Sequence, residues 1–419
     1  MTAKSPTAPH RVVVTGMGVV SPVGCTVPGF LLALLHGKSG VREVTRFATE
    51  GLSTRIAAEV RLEFAELERV ELKTAFAIRA ARDAMHQASA HGNAPGRDTP
   101  RDGKVSMGLG LELFSMDDLA QSRREGFVAP SDLRTRMRFM QTPSDVPVHV
   151  LSARYGLARP PSIHVSACAA GTDAIGDAMV AIREGRVRWA LAGGSDSMIN
   201  PLGFAGFCTL DAMTRRNDEP SRASRPFDLT RDGFVLGEGA AVLVLERLDD
   251  ARARGATVLA EVLGYGRSFD AYAITEPHPQ GHGALAAMRR ALDDAGILPS
   301  DLSAINAHGT STPKNDPAES AAIRELLGER AMDVPVVSTK SMIGHLISAA
   351  GAVEAVAAVA CMNEGVIHPT INLHQRDPRC DLDYVENTAR NLRQTHVMSC
   401  SYGFGGMNAA LVLGHADRL

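Results

Sequence analysis

Four residues carry the chemistry that this sequence can be read for: Cys168, His308, Lys340 and His345. Cys168 lies in Ser166-Ala167-Cys168-Ala169-Ala170-Gly171, directly after the strand-like Ile163-His164-Val165. After it, Ala174, Ile175, Ala178, Met179 and Ile182 recur at helical spacing, so the thiol stands where a strand turns into a helix. Free backbone N–H groups and the positive end of the helix dipole are expected to lower its pKa there. The small neighbours leave room for a bulky thioester. Taken alone, Cys168 supports two readings equally, a nucleophile and a buried structural cysteine. His308 follows another strand end in a loop rich in Gly, Thr and Ser, where α/β proteins place functional groups. His345 follows Gly344 at the mouth of an apolar helix, five residues after Lys340. A surface histidine, a helix cap and a solvated lysine are the plain alternatives for these three. Three strand ends bearing Cys, His, and Lys with His are a rarer accident than any one of them.

The elements that must hold these residues alternate between strand and helix. Arg11 to Thr15 reads as a strand closed by a Gly16-Met17-Gly18 turn; Ser21 and Pro22 break any dinucleotide fingerprint there. Glu66 to Ala90 has an amphipathic helical pattern, and Val105 to Leu111 reads as a strand. Arg188 to Ala192 is the next strand, closed by Gly193-Gly194, so the Cys168 segment forms a strand–helix–strand unit with parallel pairing. Further on, Ala304 to Ala307 and Val334 to Ser338 read as strands. Asp316, Pro317 and Glu319 suggest N-cap, N1 and N3 of a helix through Leu327. Leu346 to Cys361 is apolar all round and reads as a buried helix. Val397 to Ser401 and Ala409 to Leu413 flank a Gly403-Phe404-Gly405-Gly406 turn. The expected fold class is α/β in two halves, residues 1–255 with Cys168 and residues 256–419 with His308, Lys340 and His345, joined near Ala251 to Ala260.

Composition narrows the function. With 419 residues, 45% hydrophobic and 22% charged, the chain is globular. A net charge of −3 and 5% aromatic residues argue against nucleic acid as a partner. No pair among the six cysteines has metal-site spacing, so no metal is expected, and their scatter suggests a reducing, cytoplasmic setting. The polar segment Met1 to His10 lacks the apolar core of a signal peptide, and no membrane association is expected.

Longer motifs make the pattern specific. SACAAG around Cys168, NAHGTSTPKND around His308, STKSMIGHLISAAG around Lys340 and His345, SYGFGGMNA around Phe404, and the run from Arg216 to Glu246 occur in order along nearly the whole chain. Together they resemble the Cys-His-His elongating β-ketoacyl-[acyl carrier protein] synthases. The resemblance implies the thiolase fold, two pseudo-duplicated halves in a five-layered α-β-α-β-α core, usually dimeric. It also implies an acyl-enzyme on Cys168 and decarboxylative Claisen condensation with malonyl-[acyl carrier protein], extending the chain by two carbons. His308 and His345 would stabilise the enolate, Lys340 would tune the field in an ion pair with Glu354, and the N–H groups of Cys168 and Phe404 would form the oxyanion hole. Thr310 and Thr312 resemble the hydroxyls that bind the pantetheine arm. Phe404 resembles the gate before the acyl pocket, which moves with the Thr275 loop; Thr275 and Gly405 are expected to bind substrate, and Asp316, like Glu354, to play a supporting part. No resident cofactor is implied, since the phosphopantetheine arm belongs to the carrier protein.

Some positions depart from the fatty-acid type. Gly108-Leu109-Gly110-Leu111-Glu112-Leu113 replaces a glycine-richer run beside the acyl pocket, and Asp211 stands where an arginine often contacts the carrier. Arg134, Arg136 and Arg138 are alternative carrier contacts, equally readable as a solvated face. Asp316-Pro317-Ala318-Glu319 and the run from Cys380 to Arg390 resemble ketosynthase subunits of type II polyketide systems, which pair with a chain-length subunit. The expected partner is therefore acyl carrier protein, together with either a second copy or a paralogous chain-length subunit. A thiolase would need a second active cysteine, for which Cys400 is the candidate; a non-catalytic subunit would lack Cys168; and an initiating synthase would have Asn in place of His345.

Overall fold

The computed structural model describes residues 9–61, 72–97, 100–110 and 145–419. Leu111 to Leu113 and Arg134, Arg136 and Arg138 lie outside these residues. Ten strands build the main sheet: β1 (Val12–Val20), β2 (Gly103–Leu109), β3 (Ser162–His164), β4 (Trp189–Asp196), β5 (Gly239–Arg247), β6 (Ala260–Phe269), β7 (Ala304–Asn306), β8 (Val336–Val337), β9 (His396–Gly403) and β10 (Met407–His415). They lie in the order β8-β7-β9-β10-β6-β1-β5-β4-β2-β3. Read inward from either edge, each half places its third strand first, then its second, fourth, fifth and first. In each half the second strand pairs in parallel with the third and fourth, and the fifth runs antiparallel to the fourth and first. The duplication is thus a property of the topology. A short antiparallel contact, Val13 with Glu261 and Val14 with Ala260, joins β1 to β6 across the midline.

Strand alternation sorts the side chains into layers. In β4, Ala190 and Ala192 face a central core while Trp189 and Leu191 face outward; in β10, Leu411 and Leu413 face in while Ala410 and Val412 face out. The central core is filled by α2 (Ala170–Arg183) and α5 (Ala350–Glu364), which contribute to the same cluster. Helix α1 (Leu72–Ala88) covers the outer face of the first half, and α3 (His282–Ala295) with α4 (Asn315–Leu327) covers that of the second. Helix, sheet, helix, sheet and helix give the expected five layers. By length and hydropathy Ile347–Glu364 could cross a membrane, but 89% of it is buried inside the protein.

Several local expectations change. Gly16 and Gly18 do not turn the chain; β1 continues through them to Val20, with a shift of register between Val14 and Gly16. A Cβ at Gly16 would lie 2.1 Å from the Ala84 carbonyl oxygen, and one at Gly18 1.9 Å from that of Ala80, so these glycines let α1 lie on the strand. Gly193 and Gly194 likewise lie within β4, where a Cβ would strike the carbonyl oxygens of Ala241 and Ser348. Helix α4 begins at Asn315 with Lys314 as its cap, so Asp316 is inside the first turn and its carboxylate is turned to another use. The helix expected over 66–90 is observed as α1, with 66–71 outside the described residues.

Candidate active site

The loops after β3, β7, β8 and β9 converge on one cavity of about 540 Å³. Cys168 sits in a short 3₁₀ turn, Ala167–Ala169, ahead of α2. Ala167 has φ +48°, a left-handed conformation that costs roughly 1–2 kcal/mol in a residue with a Cβ. The turn is held by the Ala169 N–H donating to the Ser166 carbonyl at 3.0 Å. The Ser166 hydroxyl donates to the buried carboxylate of Asp173, which also receives the Tyr265 hydroxyl. The N–H groups of Phe404 and of Cys168 itself point at the sulfur. Gly403 permits this approach, since a Cβ there would lie 2.7 Å from the Ser166 carbonyl oxygen.

Contrary to the expectation from the helix dipole alone, the thiol pKa is pushed up to about 11. Burial outweighs the lowering effects of the Lys340 ammonium and the Phe404 N–H. His345 Nε2 lies 3.0 Å from the Cys168 sulfur. Its other nitrogen, Nδ1, accepts the Ile347 N–H at 3.2 Å, so the hydrogen of the neutral ring is on Nε2 and His345 is a donor toward the sulfur. The His308 ring stands edge-on to that of His345, 5.2 Å between centroids. Burial first, then the Lys340 charge, hold both histidines well below the ordinary imidazole pKa, so both stay neutral.

Lys340 follows β8 and forms a fully buried ion pair with Glu354 of α5. The His308 loop is fixed by two carboxylates of α4. Glu319 accepts the N–H groups of His308 and Gly309 at 2.7 and 2.8 Å, and Asp316 accepts those of Thr310 and Phe227 at 3.1 and 2.9 Å. Asp316, expected as a helix cap, instead ties the His308 loop to the Phe227 backbone. Glu319, expected only as a helix-start residue, anchors His308 itself. Its pKa is pushed up to about 7 by burial, against the bonds from Gly309 and His308.

Cys168, His308, His345, Phe404, Thr275, Thr310 and Thr312 all line the cavity. The Thr310 and Thr312 hydroxyls lie 3.0 Å apart on its wall. Gly405, expected to bind substrate, does not line it; it is exposed, and its N–H donates to the Ile274 carbonyl at 2.6 Å, tying the glycine turn to the Thr275 loop. Asp270 makes a second tie, accepting from Asn408 Nδ2 at 2.8 Å and the His278 N–H at 3.0 Å. At the mouth, Asp211 pairs with Arg215 at 2.6 Å and Lys314 with Glu276. Cys400 is buried inside β9 and is not in the cavity wall, which removes the thiolase alternative's second cysteine. Ligand atoms of Cys168, His308 and His345 lie within 4.8 Å of one another, the spacing of a metal cluster. The set does not fit that use, because the Nε2 of His345 carries hydrogen and its Nδ1 is already occupied.

A Cys-His-His cavity on a duplicated five-layer fold defines a thioester-condensing protein. The chain belongs to the β-ketoacyl synthase family: residues 10–251 match the family's N-terminal domain and residues 259–374 its C-terminal domain. It is 42% identical to 3-oxoacyl-[acyl-carrier-protein] synthase 2 of Coxiella burnetii over 96% of this chain and 98% of that one. The enzyme of the same name from Synechocystis is 39% identical, over 96% and 97%. Among solved structures it is similar to the ketosynthase in a type II polyketide acyl-carrier-protein complex, AntDE:AntF bound to the hexaketide (TM-score 0.88, 34% identity, 98% and 100% covered). A β-ketoacyl synthase from Burkholderia phymatum gives a TM-score of 0.86 at 33% identity, with 97% and 100% covered.

Proposed function

We propose that this protein elongates a carrier-bound acyl chain by two carbons through decarboxylative condensation, with Cys168, His308 and His345 at the reacting centre. The observation that carries the reading is the donor geometry of His345 beside the Cys168 sulfur, with a second neutral imidazole at its edge. In the first half-reaction the Cys168 sulfur attacks the acyl thioester, and the Phe404 and Cys168 N–H groups stabilise the oxyanion. The thiol proton passes to the departing carrier thiolate, so His345 need not act as a base. In the second, malonyl-carrier loses CO₂, and the Nε2–H of His345 with His308 stabilises the enolate oxygen. The enolate carbon attacks the acyl group, the C–S bond breaks, and the Cys168 thiolate takes a proton from water, replacing the one that left with the first carrier thiol. Lys340 and Glu354 set the field, and Thr310 and Thr312 bind the pantetheine arm of the carrier, which supplies the only prosthetic group. Phe404 forms the gate and moves with the Thr275 loop, to which Gly405 ties it. A cytoplasmic location accords with this role.

The partner is an acyl carrier protein, and the protein works as a dimer. The outermost strand β3 supports this: among the described residues no strand pairs with its outer edge, and Ile163 within it and Val165 just after it are 38% and 67% exposed. A heterodimer with a paralogous chain-length subunit is the second reading, favoured by similarity to the ishigamide ketosynthase/chain length factor (TM-score 0.83, 35% identity). The test is purification with candidate carriers and partners, then mass spectrometry of products from malonyl-carrier. Neither condensation nor CO₂ release with any acyl primer would sink the enzyme reading. A Cys168→Gln variant that releases CO₂ without condensing would support the division of labour.

A further inference from the structure

The second half contains a copy of the turn that carries Cys168. Ile347 has φ +47°, matching φ +48° at Ala167, and each opens a three-residue 3₁₀ turn leading into a long buried helix. The sequences run in step, Ala167-Cys168-Ala169-Ala170-Gly171 against Ile347-Ser348-Ala349-Ala350-Gly351, so Ser348 stands where Cys168 stands. The two turns touch through their glycines. A Cβ at Gly171 would lie 2.9 Å from the Ser348 carbonyl oxygen, and one at Gly351 2.0 Å from the Thr172 hydroxyl.

The copies differ in what meets the N–H groups. Those around Cys168 face the cavity. In the second copy the Ser348 N–H donates at 3.1 Å to Oδ2 of Asp196, and the Ser348 hydroxyl bonds the same carboxylate. Asp196 is fully buried at the end of β4, a strand of the other half. The strained Ile347 lies between this anchor and His345, and its N–H fixes the His345 tautomer.

We propose that Asp196 is a positioning residue for His345: by clamping Ser348 it holds Ile347 in the left-handed conformation that directs the Ile347 N–H at Nδ1. The inference rests on the donor role given to His345 above. Without the clamp, Ile347 relaxes, Nδ1 loses its donor, and the ring can place its hydrogen on either nitrogen. Acyl transfer to Cys168 relies on the other turn and is not slowed, since the Asp196 charge acts on the thiol only by raising its pKa.

The test uses full-length protein with its carrier. Asp196→Asn in a Cys168→Gln background is expected to release CO₂ from malonyl-carrier about tenfold more slowly, or worse. In the Cys168 protein, the same change should alter acyl loading of the thiol less than about threefold, while ¹⁵N NMR of His345 moves from a single Nε2–H tautomer to a mixture. Ser348→Ala, which keeps the backbone donor, should show the same selectivity with a smaller loss. CO₂ release at the parent rate in Asp196→Asn, or equal loss of loading and CO₂ release with an unchanged tautomer, overturns the proposal. Should Asp196→Asn not fold, Ser348→Ala and Ser348→Gly decide by the same criteria. Failure of the Cys168→Gln parent to release CO₂ would instead strike the functional reading itself.

Discussion

The backbone N–H of Ile347 donates to Nδ1 of His345 at 3.2 Å, and this bond decides which nitrogen faces the Cys168 sulfur with a hydrogen. His345→Ala should therefore slow CO₂ release from malonyl-carrier by about 100-fold or more, the usual loss for one donor to a developing oxyanion. His345→Asn keeps an amide donor and should retain a measurable part of the rate. Radiolabelled malonyl-carrier gives both numbers. Equal rates for the parent and the alanine variant would remove His345 from the chemistry.

The buried thiol, with its pKa near 11, sets a second expectation. Alkylation of Cys168 by iodoacetamide should be slow at neutral pH and keep rising through pH 10 without a plateau. The Lys340 ammonium lowers that pKa, so Lys340→Met should raise it further and slow alkylation at any fixed pH below the plateau. A rate already constant above pH 8 would contradict the burial argument.

Lys340 and Glu354 form a fully buried pair, and removal of one partner leaves the other uncompensated. Lys340→Met should cost about 3–5 kcal/mol by chemical denaturation. Adding Glu354→Gln should recover much of that stability while leaving condensation impaired. Recovery of activity together with stability would reduce the pair to a structural role.

Glu319 takes two buried N–H groups, those of His308 and Gly309. Glu319→Ala leaves both without an acceptor, a loss of about 1–3 kcal/mol each. Glu319→Gln retains one acceptor oxygen and should fold more stably than the alanine variant, with a slower condensation step because one strand of the His308 loop is released. Unfolding curves and single-turnover rates on both variants check the ordering.

Much of this site was legible in the sequence because chemistry at strand ends leaves local marks. Cys168 before a helical repeat, His308 in a Gly/Thr/Ser loop and His345 after Gly344 each lay where the structure places them, in the wall of one cavity. What local patterns hide is contact between distant segments. Gly16 and Gly18 read as a turn, because the letters do not reveal that Ala80 and Ala84 carbonyls press on them. Glu319 read as a helix-start residue, since nothing in its neighbourhood says that its carboxylate reaches two backbone groups beyond the helix. Asp196 was missed entirely, although a signal existed: Ala-Ala-Gly recurs at 169–171 and 349–351, and aligning those triplets sets Ser348 against Cys168. The thiol's raised pKa was missed for the same reason, as burial is a property of the whole fold and outweighed the local dipole.

Strand β3 ends at His164, and the nucleophile follows only four residues later, after a loop of just Val165 and Ser166 and the first residue of the 3₁₀ turn. Val165 and Ser166 are thus all the chain that separates an edge strand of the sheet from the turn carrying the reactive sulfur. A change in where that edge strand sits therefore has almost no length of peptide in which to dissipate before it meets the thiol.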